Sequence, residues 1–255
     1  MVDPRPMPAG GNVSELFVSF QGEGLHAGRR QLFVRLGGCP LRCRYCDTPD
    51  SLVPVAASKL VGPEGVRLRP NPWSPHDLAA EVSRMVTASP PLHAVALTGG
   101  EPLMQSEFVV EWLGRGRLQL PVLLETAGIY PERLARVLPF VGIVSLDLKC
   151  PSNTGEKARW DEHAACLEAV ARSDRELYVK MPVDEGTDPA EVERGAALVA
   201  ALAPAAPLFL TPLTPPNRST FTIGAAYLER LHATASAHHA DVRVLPQLHK
   251  VLGIL

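Results

Sequence analysis

Seven short apolar runs, separated by segments with helical spacing, constrain the fold of this chain more tightly than any other feature. The runs are 31–36 (QLFVRL), 93–97 (HAVAL), 121–125 (PVLLE), 143–148 (IVSLDL), 175–180 (RELYVK), 207–211 (PLFLT) and 241–245 (DVRVL). The spacing predicts helices over 75–88, 103–115, 131–138, 160–172, 188–203 and 222–239, the third of them opening on Pro131. Strand and helix alternate about six times. Apolar runs that are not strictly alternating suit parallel strands covered on both faces, which leaves an α/β barrel or an open doubly wound sheet. With 255 residues the chain is short for a strict eightfold barrel. Residues 53–75, rich in Pro, Gly and Val, follow neither period and are expected to be an insertion or a flexible loop.

Hydrophobic residues make up 46% of the chain, enough for a full core, and a single domain is expected over residues 1–255. Lys and Arg number 25 against 27 Asp and Glu, so no broad basic surface is available for nucleic acid. The start, MVDPRPMPAGG, lacks the apolar core of a signal peptide, and the most apolar stretch, 196–210, is broken by Pro204 and Pro207. A cytoplasmic protein without membrane association is expected.

The unusual motifs sit at strand ends, where the loops of such folds converge and chemistry gathers. CPLRCRYC follows the first run, TGGEP (98–102) the second, ETAG (125–128) overlaps the end of the third, and DLKCPS (147–152) ends the fourth. Cys39, Cys43 and Cys46 have the spacing CxxxCxxC on a loop opened by two glycines. Three soft thiolates suit zinc or an iron–sulfur cluster. A structural zinc site would want a fourth ligand nearby, and Cys150 and Cys166 are distant in sequence. A 4Fe-4S cube held by three cysteines keeps one iron open to a small molecule. Stoichiometric zinc, or incidental free thiols, are the alternatives. Cys150 and Cys166 read as small buried apolar side chains.

The CxxxCxxC motif, with Tyr45 just before its last cysteine, resembles the signature of the radical S-adenosylmethionine superfamily, and TGGEP resembles that superfamily's glycine-rich second motif. Further motifs narrow the resemblance: SFQGEG (19–24), Arg35 four residues before Cys39, CDT (46–48) and the ending PQLHK (246–250) are similar to the 7-carboxy-7-deazaguanine synthases of queuosine and deazapurine synthesis. The likeness runs from residue 15 to the C-terminus. It implies a shortened, partial TIM-like (β/α)6 barrel, usually dimeric. The implied cofactors are a 4Fe-4S cluster, S-adenosylmethionine and Mg2+, with an external one-electron reductant of the flavodoxin or ferredoxin type. The implied reaction turns 6-carboxy-5,6,7,8-tetrahydropterin into 7-carboxy-7-deazaguanine by hydrogen abstraction, radical ring contraction and loss of ammonia.

The resemblance also implies residue roles. Cys39, Cys43 and Cys46 hold the cluster. Tyr45, Cys46, Asp47, Gly100, Asp147, Leu148 and Lys149 meet S-adenosylmethionine, although many relatives have Ser-Pro-Lys where this chain has Asp147-Leu148-Lys149. Phe20, Gln21, Gly22, Arg35, Thr98 and the terminal Leu255 meet the pterin, Arg35 clamping its carboxylate, and Thr48 binds Mg2+. Read without the resemblance, Arg35 is equally a structural salt bridge, Gln21 a solvated turn residue and Asp47 a loop cap. Glu101, Glu125, His249 and Lys250 are left without a settled role. A glycyl-radical-enzyme activating enzyme shares CxxxCxxC, GGEP and a strand ending in DLK, but has no evident need for QGEG with Arg35 and CDT. A non-catalytic zinc or electron-transfer module is disfavoured by the missing fourth ligand and the length of the chain.

Overall fold

A computed structural model describes residues 10–62, 65–115, 118–214 and 222–254. Leu255, expected at the site, lies outside them. The chain opens with an antiparallel pair, β1 (Val13–Phe20) and β2 (Arg30–Leu36), followed by a hairpin of β3 (Ala57–Gly62) and β4 (Gly65–Pro70) and by helix α1 (Pro75–Ala88). Strand and helix then alternate: β5 (Ala94–Gly99), α2 (Ser106–Gly114), β6 (Val122–Thr126), α3 (Pro131–Val137) and β7 (Ile143–Asp147). Two helices, α4 (Pro151–Thr154) and α5 (Trp160–Ala171), lead to β8 (Glu176–Val183), then α6 (Pro189–Leu202), β9 (Leu208–Pro212), α7 (Ala225–Ser236), β10 (Val242–Val244) and α8 (Leu248–Leu252). All strands join one ten-stranded sheet in the order β10-β9-β8-β7-β6-β5-β2-β1-β3-β4. β2 and β5 to β10 are mutually parallel, giving an arc with two free edges. This is a partial barrel, open between β10 and β4.

Each parallel strand divides its side chains by parity. Leu32, Val34 and Leu36, then Val95, Leu97, Leu124, Leu146 and Leu148, face the helices and join the main core with Leu78, Trp112, Leu134 and Val170. The concave face is itself apolar toward the strand starts, where Ala94, Leu123, Ile143, Tyr178 and Phe209 form a second cluster. Apart from Gln31 at the start of β2, polar groups replace apolar ones toward the carboxyl ends, which is why the runs read as largely continuous in sequence.

Helix boundaries follow local chemistry. Ser74 Oγ accepts the Asp77 N–H and Asp188 Oδ1 accepts the Ala190 N–H, with Pro75 and Pro189 at the first helical positions, where no N–H is needed. Each such cap contributes about 1 kcal/mol. The expected helix over 103–115 starts late, because Pro102–Gln105 forms a 3-10 turn capped by Glu101. Of the two expectations for 53–75, an insertion or a flexible loop, the loop is corrected: the stretch contains the β3–β4 hairpin, with Trp73 Nε1 donating to Ser58 Oγ at 2.7 Å. Among the described residues no helix is long and apolar enough to cross a membrane.

Candidate active site

The strand register builds the site before any loop is considered. Lys59 pairs with Glu15, Glu15 with Arg35 and Arg35 with Thr98; further along, Glu125 pairs with Ser145 and Ser145 with Tyr178. One more register row places Asp147 beside Lys180. Of these residues Lys59, Glu15, Arg35, Thr98, Glu125, Asp147 and Lys180, with the cluster loop and the C-terminal segment, enclose one cavity of roughly 480 Å³.

Cys39, Cys43 and Cys46 all line this cavity, unbridged and half-buried. Their loop is fixed by main-chain bonds: Cys39 N–H donates to Leu52 O, Cys46 N–H to Cys43 O, and Arg44 N–H to Thr154 O. Burial pushes the Cys39 thiol up to about 12 and raises Cys43 as well. Burial outweighs the nearby Lys149 ammonium, so thiolates there call for a further positive centre, and three sulfurs lining one cavity fit a bound metal centre that supplies it. Cys150 and Cys166 are fully buried in the core and point away from this centre.

Gly100 lines the cavity beside the cluster loop, and a Cβ there would lie 2.3 Å from Gly38 O, so only glycine fits. Its N–H donates to Leu36 O at 3.0 Å; the main-chain group it can turn to a ligand is the carbonyl. Tyr45 is covered by Lys149, whose Nζ sits 5.6 Å from the ring centroid. Lys149 Nζ donates to Asp147 Oδ2 at 2.7 Å, and Lys180 Nζ lies 3.2 Å from Asp147 Oδ1 and 2.5 Å from Glu23 Oε2. Burial alone would raise Glu23 and Asp147, but Lys180 at Glu23, and Lys149 with Lys180 at Asp147, outweigh it and hold both carboxyls below their usual range. Lys149 and Lys180, in turn, are held well above theirs by these carboxylates against desolvation. Leu148 is corrected. Its parity sends the side chain into the helix-facing core at 0% exposure, so it does not line the cavity.

Arg35 lines the cavity with its Nε bonded to Glu15 Oε2 at 3.2 Å and its guanidinium 5.4 Å from the Phe17 ring centroid. The ion pair and an inward orientation therefore coexist. Gln21 is not the solvated turn residue that its sequence context allows. It is 3% exposed; Nε2 donates to Glu125 Oε1 and Gln31 Oε1, and Oε1 accepts the Glu23 N–H. Thr98 Oγ1 donates to the other Glu125 oxygen at 2.8 Å, so Glu125 stands on the cavity wall between two fixed donors. Phe20 and Gly22 line the same wall, with Gly22 O accepting the Leu248 N–H. A Cβ on Gly22 would fall 2.0 Å from His249 Nδ1, and the bare backbone is what lets α8 close on the cavity.

Asp47 turns toward that segment, with Lys250 Nζ at 3.3 Å, Gln247 Nε2 at 3.3 Å and His249 Nε2 at 3.8 Å. Glu23, Asp47 and His249 bring three ligand atoms within 4.8 Å of one another, but Lys180, Gln247 and Lys250 already hold those carboxylates, which disfavours a cation among them. The Thr48 hydroxyl lines the cavity next to the cluster loop and makes no hydrogen bond to another described residue. Glu101 is structural. At 1% exposure it accepts from Leu103 N, Thr126 Oγ1 and Ala127 N, tying together the loops after β5 and β6, and burial raises its carboxyl. Sequence reasoning missed Lys180, Glu23, Glu15 and Gln247. Glu23 and Gln247 stand inside the SFQGEG and PQLHK motifs and Lys180 is a cation closing the run 175–180, so three of the four carried a usable signal.

The chain matches the Radical SAM superfamily model over residues 33–198. It is 35% identical to the 7-carboxy-7-deazaguanine synthase of Geobacter sulfurreducens, the match covering 96% of this chain and 98% of that one. The synthase of the same name from Methanopyrus kandleri is 33% identical, with 98% and 96% covered. Among solved structures, QueE from Escherichia coli superposes with a TM-score of 0.55 at 19% identity over 94% of each chain. A radical SAM methyltransferase from Sphaerobacter thermophilus gives 0.58 at 18% identity, covering 91% of this chain and 77% of that one; both likenesses speak to the fold.

Proposed function

Because this chain belongs to the radical SAM superfamily and, within it, to the 7-carboxy-7-deazaguanine synthases, we propose that its cavity binds 6-carboxy-5,6,7,8-tetrahydropterin against the β1–β2–β5–β6 wall and S-adenosylmethionine against β5, β7 and the cluster loop. The observation that carries this division is the cavity itself. It is lined both by three free cysteines, Gly100 and the Asp147–Lys149 pair, from the cluster loop and the ends of β5 and β7, and by Arg35, Thr98 and Glu125, from β2, β5 and β6.

When bound, a 4Fe-4S cluster with one iron free of protein ligands supplies the reductive cleavage of the sulfonium that generates the hydrogen-abstracting radical. The residues of this chain do the rest. Cys39, Cys43 and Cys46 hold the cluster, and the Gly100 carbonyl accepts from the methionyl ammonium. Lys149, kept charged by Asp147, meets the methionyl carboxylate. Glu125 accepts from the amino edge of the heterocycle, its lone pairs oriented by Gln21 and Thr98. Arg35 is braced by Glu15 through Nε, which leaves the outer nitrogens of its planar fork for the substrate carboxylate. The Thr48 hydroxyl would offer a hard oxygen to Mg2+, which would supply Lewis-acid chemistry there. Phe20, with Gly22 and α8, narrows the mouth and limits water.

We place the protein in a reducing cytoplasm, where three free thiols persist, as a homodimer supplied by an external one-electron donor. The test is anaerobic incubation of reconstituted protein with the carboxypterin, S-adenosylmethionine, Mg2+ and a reductant. The expected product is the deazapurine chromophore, with ammonia released in equal amount. Absence of both would reject the assignment. Thr48→Ala should lose most of the Mg2+ dependence, and identical metal titrations for the two proteins would move the metal elsewhere.

A further inference from the structure

A polar group sits at the starts of the parallel strands, where the concave face is largely apolar. His93 immediately precedes β5, Gln31 is the second residue of β2 and Glu176 opens β8. His26, from the β1–β2 connection, is buried; its ring centroid lies 4.6 Å from that of His93 and its Nε2 lies 2.8 Å from Glu176 Oε1. Neither His93 nor Gln31 lines the cavity, yet hydrogen bonds run from one to the other and on to the cavity wall. Gln31 Nε2 donates to His93 Nδ1 at 3.2 Å, and Gln31 Oε1 accepts from Gln21 Nε2 at 3.2 Å. The same Gln21 nitrogen donates to Glu125 Oε1 at 2.9 Å.

The direction of every bond in this chain is set from its cavity end. Gln21 meets a pure donor on one side, the Glu23 N–H, and a pure acceptor on the other, the Glu125 carboxylate, so its amide has one orientation. Gln31, at 0% exposure, then turns its carbonyl to Gln21 and its NH2 to His93. His93 Nδ1 is left to accept, which requires a neutral imidazole with its proton on Nε2. A proton on Nδ1 would set donor against donor. Turning Gln31 over would move the conflict to Gln21, and turning Gln21 over would set its carbonyl against Glu125 and its NH2 against the Glu23 N–H, so no arrangement keeps every link. We propose that His93 is a positioning residue for the pterin: its neutral, Nε2-protonated form holds the Gln31–Gln21 relay in place and with it the lone pairs of Glu125. This rests on the reading of Glu125 as the acceptor for the amino edge of the heterocycle. The charged and titratable groups around His93 are His26, Arg29 and Glu176, with the Arg30 carbonyl accepting its N–H and Tyr178 edge-on to His26. Burial, then His26 and Arg29, lower the pKa of His93 against the opposing pull of Glu176, which favours the form that the relay needs. The coupling is reciprocal: a proton on His93 weakens the pterin, and bound pterin lowers the pKa of His93 further.

The test measures the affinity of the reconstituted full-length protein for the carboxypterin, with Mg2+ and S-adenosylmethionine but no reductant, so that no turnover occurs. On acidification from about pH 8 to about pH 5.5 the parent Kd should rise about threefold more than that of His93→Asn, whose amide stands in for Nδ1, turns to suit Gln31 and does not titrate. Gln31→Glu supplies a second arm. Its carboxylate accepts from both neighbours, so His93 should take up its proton at higher pH while the pterin affinity loses its dependence on that proton. Nitrogen NMR of the histidine rings should show one imidazole with Nδ1 unprotonated that is missing in His93→Asn, and its pKa should fall when the pterin binds. Equal pH dependence in the parent and His93→Asn would overturn the relay, including a loss of affinity that is uniform across pH, which would make His93 a structural support only. So would a His93 pKa that the pterin leaves unchanged. Parent protein that binds no pterin at either pH would overturn the pterin reading of the cavity itself, and the relay's role with it.

Discussion

Arg35 is a charge placed in a strand whose neighbours Val34 and Leu36 are fully buried, and Glu15 and Phe17 fix its direction. Replacing it with lysine keeps the charge and loses the fork. Arg35→Lys should raise the carboxypterin KM about tenfold, equivalent to about 1.4 kcal/mol, with a smaller effect on the KM for S-adenosylmethionine. An unchanged pterin KM would remove the carboxylate clamp. His163 acts behind the site: its ring bridges Gly128 O and the Lys149 N–H, and burial lowers its pKa to about 4. An unfolded histidine titrates near 6.5, so on acidification the unfolded chain takes up this proton first. The stabilisation is complete above about pH 6.5 and is lost as pH falls toward 4. Urea unfolding at pH 7 and pH 5 should show the parent losing on the order of 2 kcal/mol more than His163→Gln, whose amide can keep both bonds but does not titrate. Parallel losses would contradict this. Leu148 shows what a residue-level sequence reading can reach. Strand parity from Val144 and Leu146 already puts it on the helix-facing side, whereas a motif carried over as a block ignores parity.

At the scale of elements, α8 has no buried residue and is held by the Leu248 N–H to Gly22 O, by Gln247 to Glu23 and by Lys250 to Asp47. Gly22→Ala forces a methyl into the space of His249. Such overpacking typically costs about 1–3 kcal/mol, and the helix has little else to hold it. Hydrogen exchange over 248–252 should accelerate at least tenfold in this variant, and the pterin KM should rise. Protection equal to that of the parent would mean that α8 is anchored elsewhere. The six helix-bearing crossovers were legible because each strand is apolar and because α1, α3 and α6 open on a proline. The β3–β4 hairpin was not. Its alternation of Val66, Arg67, Leu68 and Arg69 spans four residues, and its apolar side is the exposed one, with Arg67 and Arg69 reaching Glu81 and Asp77 of α1. β1 was missed because it carries serines among its apolar residues and runs antiparallel, outside the repeating unit.

For the molecule as a whole, the arc works by separating two jobs. The helix-facing core holds the strands in place, while the concave face changes from largely apolar to polar or charged along the strands, so that the carboxyl ends meet in one polar chamber. Sequence alone located that chamber through motifs at strand ends, but the ion network of Lys149, Asp147, Lys180 and Glu23 joins residues up to 157 positions apart and depends on register. The central claim is that three cysteines hold a cluster with one iron exposed to the S-adenosylmethionine side of this chamber. Electron paramagnetic resonance of the reduced, reconstituted protein tests it most directly. The account predicts a 4Fe-4S signal whose shape changes when S-adenosylmethionine is added, and a spectrum left unaltered by that addition, or one lacking such a cluster, would contradict it.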